Sequence, residues 1–292
     1  MTGTMPARVV NAMSVDVEDY YQVSAFAGTI PRAEWDRWPD RVGTSTRACL
    51  ALFAERDVRA TFFVLGCVAR RHPDLIREIV AGGHELASHG MSHHRVWELS
   101  PAEFRADVRD TRLLLEDLGG VPVRGYRAPS FSIDRRCWWA YEMLAEAGYA
   151  YSSSIHPIAH DHYGMPDAPR GPFEPGSGIT EIPVGTVELG DRRFSCAGGG
   201  FFRLLPYAWS RWGIGRVNGA EGRPVAFYFH PWEIDPGQPR VPGAPLRSRL
   251  RHYTNLGRME AKLRRLLRDF AWDRMDVVHG TAQPLAEPLK VA

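Results

Sequence analysis

The feature that most constrains this chain is an alternation of short apolar, β-branched runs with amphipathic helical ones, repeated across the first 155 of its 292 residues. "RVVNAMSVDV" (8–17) reads as a buried strand ending in acids, and "TSTRACLALFAERDV" (44–58) has Leu50 and Phe53 at helical spacing. "RATFFVLG" (59–66) is a second strand closed by Gly66, "PDLIREIVAGG" (73–83) a helix opened by Pro73, and "HELAS" a third strand. "SPAEFRADVRDTRLLLEDLGG" (100–120) supplies an N-cap serine, a proline at the first helical position, an acid in the first turn and a glycine pair to stop it. A short strand in "VPVRGYRAPS", a helix in "RRCWWAYEMLAEAG" and a strand in "YAYSSSI" follow. The pattern predicts an α/β fold with a mainly parallel sheet.

The texture changes after that. Residues 156–203 open with "HPIAHDHYGMPDAPRGPFEPGSG", dense in proline and glycine, which predicts a long loop acting as a lid or binding segment. "ITEIPVGTVEL" regains strand character, "GGGFFRLLPYAWSRWG" holds a turn and a helix, and "RPVAFYFHPWEID" contains the last clear buried strand. "NLGRMEAKLRRLLRDF" (255–270) places Leu256, Met259, Leu263, Leu266, Leu267 and Phe270 on one helical face, and a loose tail is expected after about 276. A hydrophobic content of 44% at this length supports one large core, hence a single domain.

Charge narrows the partners. With 36 Lys and Arg against 34 Asp and Glu, and no long run of either sign, nucleic-acid binding is excluded as an expectation. Cys49, Cys67, Cys137 and Cys196 lie far apart and form no C-x-x-C pair, so they are expected as buried thiols in a reducing compartment. The start of the chain lacks a basic segment followed by a long apolar one, and no stretch reaches the roughly 20 apolar residues that span a bilayer. These features predict a soluble cytoplasmic protein.

Reactive groups of parallel α/β folds gather at the carboxyl ends of strands. Four predicted strand ends carry unusual polar residues: Asp16, Glu18 and Asp19; His89 and His93; Arg127; and His230. His89 and His93 have the spacing that would bring two imidazoles to one face of a helical turn, as two nitrogen ligands of a divalent ion require. Gly90 stands where a zincin would have its glutamate, so a protease of that type is excluded. His84 and His94 are expected as strand-start and surface residues. Three carboxylates in "SVDVEDY" need a cation or an arginine to offset their repulsion. Asp16 and Glu18 share a strand face, whereas Asp19 is either a helix cap or a competing ligand. Two histidines and one carboxylate would leave a zinc position open. Arg127, stiffened by Pro129, suits Asp16 as a partner, and His230 ends a run too apolar to expose it.

In order, "SVDVED", "SHGMSH", "GYRAPSFS" and "YFHPWE" resemble the motifs of the polysaccharide deacetylase family, the NodB-homology domain of carbohydrate esterase family 4. "GGGFFRLLPY", "HPWEID" and "HYTNL" resemble more narrowly the subgroup associated with exosortase-linked exopolysaccharide loci. The resemblance implies a distorted (β/α) barrel of seven strands over 8–235, with 236–292 as a helical extension packed on it. It implies a divalent metal, most often zinc, held by His89, His93 and Glu18 or Asp19. Asp16 matches the general base, Arg127 its holder and His230 the general acid, while Pro129, Trp232 and Tyr163 are the expected saccharide contacts, with Phe173 nearby. The implied activity is hydrolysis of N-acetyl groups on an amino-sugar polymer or its lipid-linked precursor, in exopolysaccharide biosynthesis, with a peripheral place at the inner membrane face as the expected setting. A related amidase acting on a small C–N substrate, some of which work without metal, and a catalytically silent saccharide-binding protein are the alternatives. Two departures stand out: the family's metal carboxylate is usually aspartate, and its Asp and Trp motif before the last strand is replaced by "YAYSSSIHP", leaving the partner of His230 unspecified.

Overall fold

The computed structural model describes residues 9–160 and 163–281. Residue 8, residues 161–162 of the expected lid, and the expected tail from 282 onward lie outside them. In chain order the first half contains β1 (Val10–Val17), α1 (Val42–Ala54), β2 (Thr61–Val64), α2 (Gly66–Arg71), α3 (Pro73–Ala81), β3 (Glu85–Ser88), α4 (Pro101–Gly119), β4 (Gly125–Tyr126) and α5 (Ala140–Glu146). Then come β5 (Tyr151–Ser152), β6 (Thr180–Glu181), β7 (Thr186–Leu189), β8 (Arg192–Ser195), α6 (Gly199–Leu204), α7 (Tyr207–Ala220) and β9 (Ala226–Phe229). The chain finishes with α8 (Leu246–Tyr253), α9 (Leu256–Asp269), β10 (Ala271–Asp273) and α10 (Met275–Val278).

The expected parallel sheet is present. β1 pairs in parallel with β2 and with β9, and the order continues through β3, β4, β5 and β6, every pair parallel. Just past β6, a parallel bridge from Val184 to Ala226 joins the chain to β9 and turns the curled sheet into a distorted barrel. A sheet curled on itself and covered by helices hides both faces of its strands, which is why β1 is buried in both registers after Val10. Met13, Val15 and Val17 pack under the helices, in one cluster with Leu52 and Phe53 of α1 and Leu75, Ile76 and Ile79 of α3. Alternate residues turn the other way: Ala12 packs with Phe63, Ala87, Tyr151, Ile182, Ala226 and Met275. The buried polar residues of β1 are satisfied, since the Asn11 amide exchanges hydrogen bonds with Asn218 at 3.0 and 2.8 Å and Ser14 Oγ donates to Phe227 O at 2.8 Å.

The α4 expectation holds in detail: Ser100 Oγ accepts from Glu103 N at 3.4 Å, Glu103 Oε2 accepts from Ser100 N at 2.8 Å, and Gly120 takes φ 66° at the far end. Other readings need correction. The region 156–203 is no continuous lid, because it carries β6 of the barrel and an antiparallel hairpin, β7–β8. "ITEIPVGTVEL", expected to have strand character, holds two strands, divided where the chain leaves β6 for the hairpin. Residues 275–278 are helical, with Met275 and Asp276 buried, so the last described helix runs two residues past the expected start of the tail. The extension also does more than pack: β10 pairs in parallel with β1 from Val10 to Ala12. Cys49, Cys137 and Cys196 are buried and unpaired, while Cys67 is half-buried. Among the described residues no helix is long and apolar enough to cross a membrane.

Candidate metal and catalytic site

Glu18 lies one residue past β1, and His89 and His93 flank the loop leaving β3. One ligand atom from each falls within 4.8 Å of the others, and all three residues are buried. The histidines do not share a helical turn as their spacing suggested. Residues 89–95 belong to no helix, and the chain doubles back through Gly90 (φ 76°) and His93 (φ 54°), setting the two rings 5.5 Å apart. His89 Nδ1–H donates to Arg127 O at 2.8 Å, which fixes the tautomer and leaves the Nε2 lone pair for a ligand. Burial pushes the His89 imidazole down to about 4, keeping it neutral. Burial would raise Glu18, but the charges of His93 and His230 and the close polar contact with His93 outweigh it and bring the carboxyl to about 2. Glu18 Oε2 is nonetheless buried with no hydrogen-bond partner, although His93 Nε2 is 2.8 Å away. An orphaned carboxylate oxygen converging with two imidazoles is the donor set a divalent cation completes, so the residues fit such an ion.

Asp19 does not join this set. Its Oδ2 accepts from the backbone N–H of Arg41 at 2.7 Å and of Val42 at 2.9 Å, and its Oδ1 from Tyr20 at 2.8 Å, so it anchors the N-terminus of α1. Asp16, at the end of β1, meets Arg127 Nη1 at 2.6 Å with both side chains buried. Arg127 is tethered further, donating to Ser14 Oγ, Ser153 O and Ser153 Oγ at 2.8, 2.9 and 2.8 Å, and its guanidinium lies 4.1 Å from the Phe63 ring centre. His230 follows β9 and turns Nε2 toward the carboxylates, 3.5 Å from Glu18 and 4.0 Å from Asp16. Its Nδ1 faces Glu233 Oε2 at 3.2 Å. Burial alone would lower His230, but the Glu18, Glu233 and Asp16 carboxylates raise it to about 9.

Asp16, Glu18, His89, His93 and His230 line one pocket of about 410 Å³, together with Ser24, Arg95, Ala128, Ser130, Phe131, His160, Tyr163, Phe201 and Trp232. Tyr163 and Trp232 therefore lie where saccharide contacts were expected, but Trp232 is only 6% exposed. Its Nε1–H points at Glu18 Oε1, 3.3 Å away, and its ring stacks on His230. Pro129 is buried, and its neighbours Ala128 and Ser130 line the pocket instead. Phe173 bridges Glu181 and packs on the core, away from the pocket. His84 accepts from Ala60 N at 3.1 Å, a structural use, and His94 is half-buried. Sequence reasoning missed Glu233 and Arg203, whose only signal was a glutamate three residues after His230 in "HPWE".

The fold and these side chains define a distorted parallel barrel with a His–His–Glu cluster at the carboxyl ends of its strands. Residues 35–151 match the model of the polysaccharide deacetylase family, and a second model, described as a domain of unknown function (DUF3473), matches 153–279. Over 108 residues the chain is 33% identical to a chitooligosaccharide deacetylase of Bradyrhizobium sp., covering 37% of this chain and 47% of that protein. Over 123 residues it is 30% identical to a peptidoglycan-N-acetylglucosamine deacetylase of Bacillus cereus, covering 40% and 44%. The chain thus spans about half the length of the curated relatives it matches. In fold it is similar to a polysaccharide deacetylase candidate from Mycobacterium smegmatis, with a TM-score of 0.61 at 21% identity over 98% of this chain and 96% of the other.

Proposed function

We propose that the chain is a metal-dependent hydrolase that removes N-acetyl groups from amino sugars of a polysaccharide or its lipid-linked precursor. The observation that carries this reading is the convergence in one pocket of Glu18, His89 and His93 with Asp16 and His230, Asp16 being held from behind by Arg127. The names of the Bradyrhizobium and Bacillus relatives support the substrate class. The chemistry a divalent cation supplies when held by such a triad is Lewis acidity toward an acyl oxygen and toward water. Asp16 takes a proton from the attacking water, and Arg127, tethered at four points, keeps the accepting oxygen from swinging away. His230 hands the proton at Nε2 to the departing nitrogen, so the products are acetate and a free amine. Tyr163 and Phe131, packed 5.6 Å apart on the pocket wall, supply an aromatic surface for a sugar ring.

Zinc is the metal this reading favours, because two imidazoles and one carboxylate match its catalytic sites. The unpaired cysteines suit a cytoplasmic setting, with the lipid-linked precursor of an exopolysaccharide met at the inner membrane face. The test is acetate release from N-acetylglucosamine oligomers, measured beside metal content. Chelation should abolish release, His89→Ala should lose metal and acetate together, and Asp16→Asn should keep the metal while turnover falls about 100-fold or more. Release that survives chelation, or full activity in the His89 variant, would reject the proposal.

A further inference from the structure

Behind His230, on the side away from the metal-binding triad, runs a chain of buried charges. Glu233 closes the short turn Pro231–Ile234 and returns its Oε2 to His230, accepting from both the backbone N–H and Nδ1 at 3.2 Å. Its other oxygen accepts from Arg203 Nε at 3.0 Å. Arg203 is 1% exposed and Glu233 fully buried. The rest of the guanidinium is consumed by the end of α8: Nη1 donates to Thr254 O at 2.6 Å and Nη2 to Arg251 O at 2.8 Å. Glu233 is therefore held in place by a side chain that is itself fixed at two further points.

We infer that Arg203 and Glu233 are positioning residues that keep a proton on His230 Nδ1, so that the proton exchanged with substrate is always the one on Nε2. The inference rests on the proposed deacetylation and deepens it. A carboxylate paired to arginine offers only lone pairs, so the ring nitrogen facing it must carry hydrogen whether the imidazole is charged or neutral. As the acetyl C–N bond breaks, its electron pair goes to nitrogen, which takes the proton from Nε2. The ring is left neutral with Nδ1–H still bound to Glu233. Without the carboxylate, the neutral ring is free to hold its proton on Nε2 and to turn its basic nitrogen away from the site. The partner that the resemblance left unspecified is thus supplied from the turn after the acid and from α6, both within 153–279, the part of the chain matched by a domain of unknown function.

Two substrates separate positioning from mere structural support. An N-acetyl amine needs a proton on its leaving group, whereas 4-nitrophenyl acetate releases a stable phenolate and needs none. In zinc-loaded full-length protein, Glu233→Gln should lower kcat on N-acetylglucosamine oligomers about 100-fold, with KM little changed, while hydrolysis of 4-nitrophenyl acetate falls less than about threefold. Arg203→Lys should show the same split in weaker form, and bound zinc and circular dichroism should match the parent in both. Equal losses on the two substrates, or no loss on the oligomers, would overturn the positioning role. A parent protein that cleaves the aryl ester but releases no acetate from any N-acetyl sugar would instead overturn the proposed function.

Discussion

Arg127 is the residue on which most of the site leans, and its burial sets what removing it must cost. It pairs with Asp16 at 2.6 Å with side-chain exposures of 1% and 3%. A buried ion pair adds little over well-packed apolar residues, but removing one partner leaves an uncompensated charge. Arg127→Met should therefore cost about 3–5 kcal/mol of folding stability, read from urea midpoints with metal content as a control. A loss below about 1 kcal/mol would mean Asp16 finds another partner or a proton. The sequence made the Asp16–Arg127 pair legible because both residues sit at strand ends. It hid Ser14 and Ser153, which look like ordinary small polar residues until the barrel brings them to one guanidinium. Glu18 was legible through its strand face, and Asp19 was ambiguous until the start of α1 claimed it.

At the scale of elements, glycine placement explains how α6 reaches the site. The run Gly198–Gly200 read only as a turn. Gly198 takes φ 113° against β9, where an added Cβ would run into the backbone of Tyr228, and Gly199 (φ 51°) lies against the Tyr228 ring. That close approach lets α6 deliver Arg203 to Glu233. Gly198→Ala should destabilise the fold by at least about 2 kcal/mol, from strain at positive φ plus the clash, whereas Gly200→Ala, with open space around it, should be neutral or slightly stabilising. Thermal unfolding of the two variants checks this, and equal midpoints would refute it. The histidine loop follows a related course: the two imidazoles its spacing paired do converge, but through positive φ at Gly90 and His93 rather than through a helical turn. Helices with caps were legible, whereas short strands such as β8 and β10 were not, being too brief to carry a period.

The whole molecule is built across the seam between its two matched regions, since β5 begins at the last residue of one and β9 with His230 lies deep in the other. The far end of the barrel is closed by the extension, where the buried Glu85 carboxyl accepts from Thr61 Oγ1 at 2.5 Å, Tyr151 OH at 2.8 Å and Asp276 N at 3.3 Å. Burial, and then the nearby Asp276 charge, raise Glu85 from 4.5 to about 8. The folded state thus keeps a proton that the unfolded chain releases. This contribution is whole below pH 4.5, shrinks as pH rises through the interval, and is gone above about 8. Urea midpoints taken between about pH 5 and 8.5 should fall more steeply in the parent than in Glu85→Gln, and identical slopes would reject the assignment. Composition and alternation announced the barrel; its plug stayed hidden because it depends on a contact between Glu85 and a residue far along the chain.

β1 has one lasting consequence for how the molecule comes into being. Two of its partners, β9 and β10, are made roughly 200 residues or more after it leaves the ribosome, which at about 5–20 residues per second is roughly 10 to 40 seconds of synthesis. Throughout that interval a strand that ends up buried at seven of its eight residues waits with one edge unpaired. Yield in the cell should accordingly track the supply of holdase chaperones during translation.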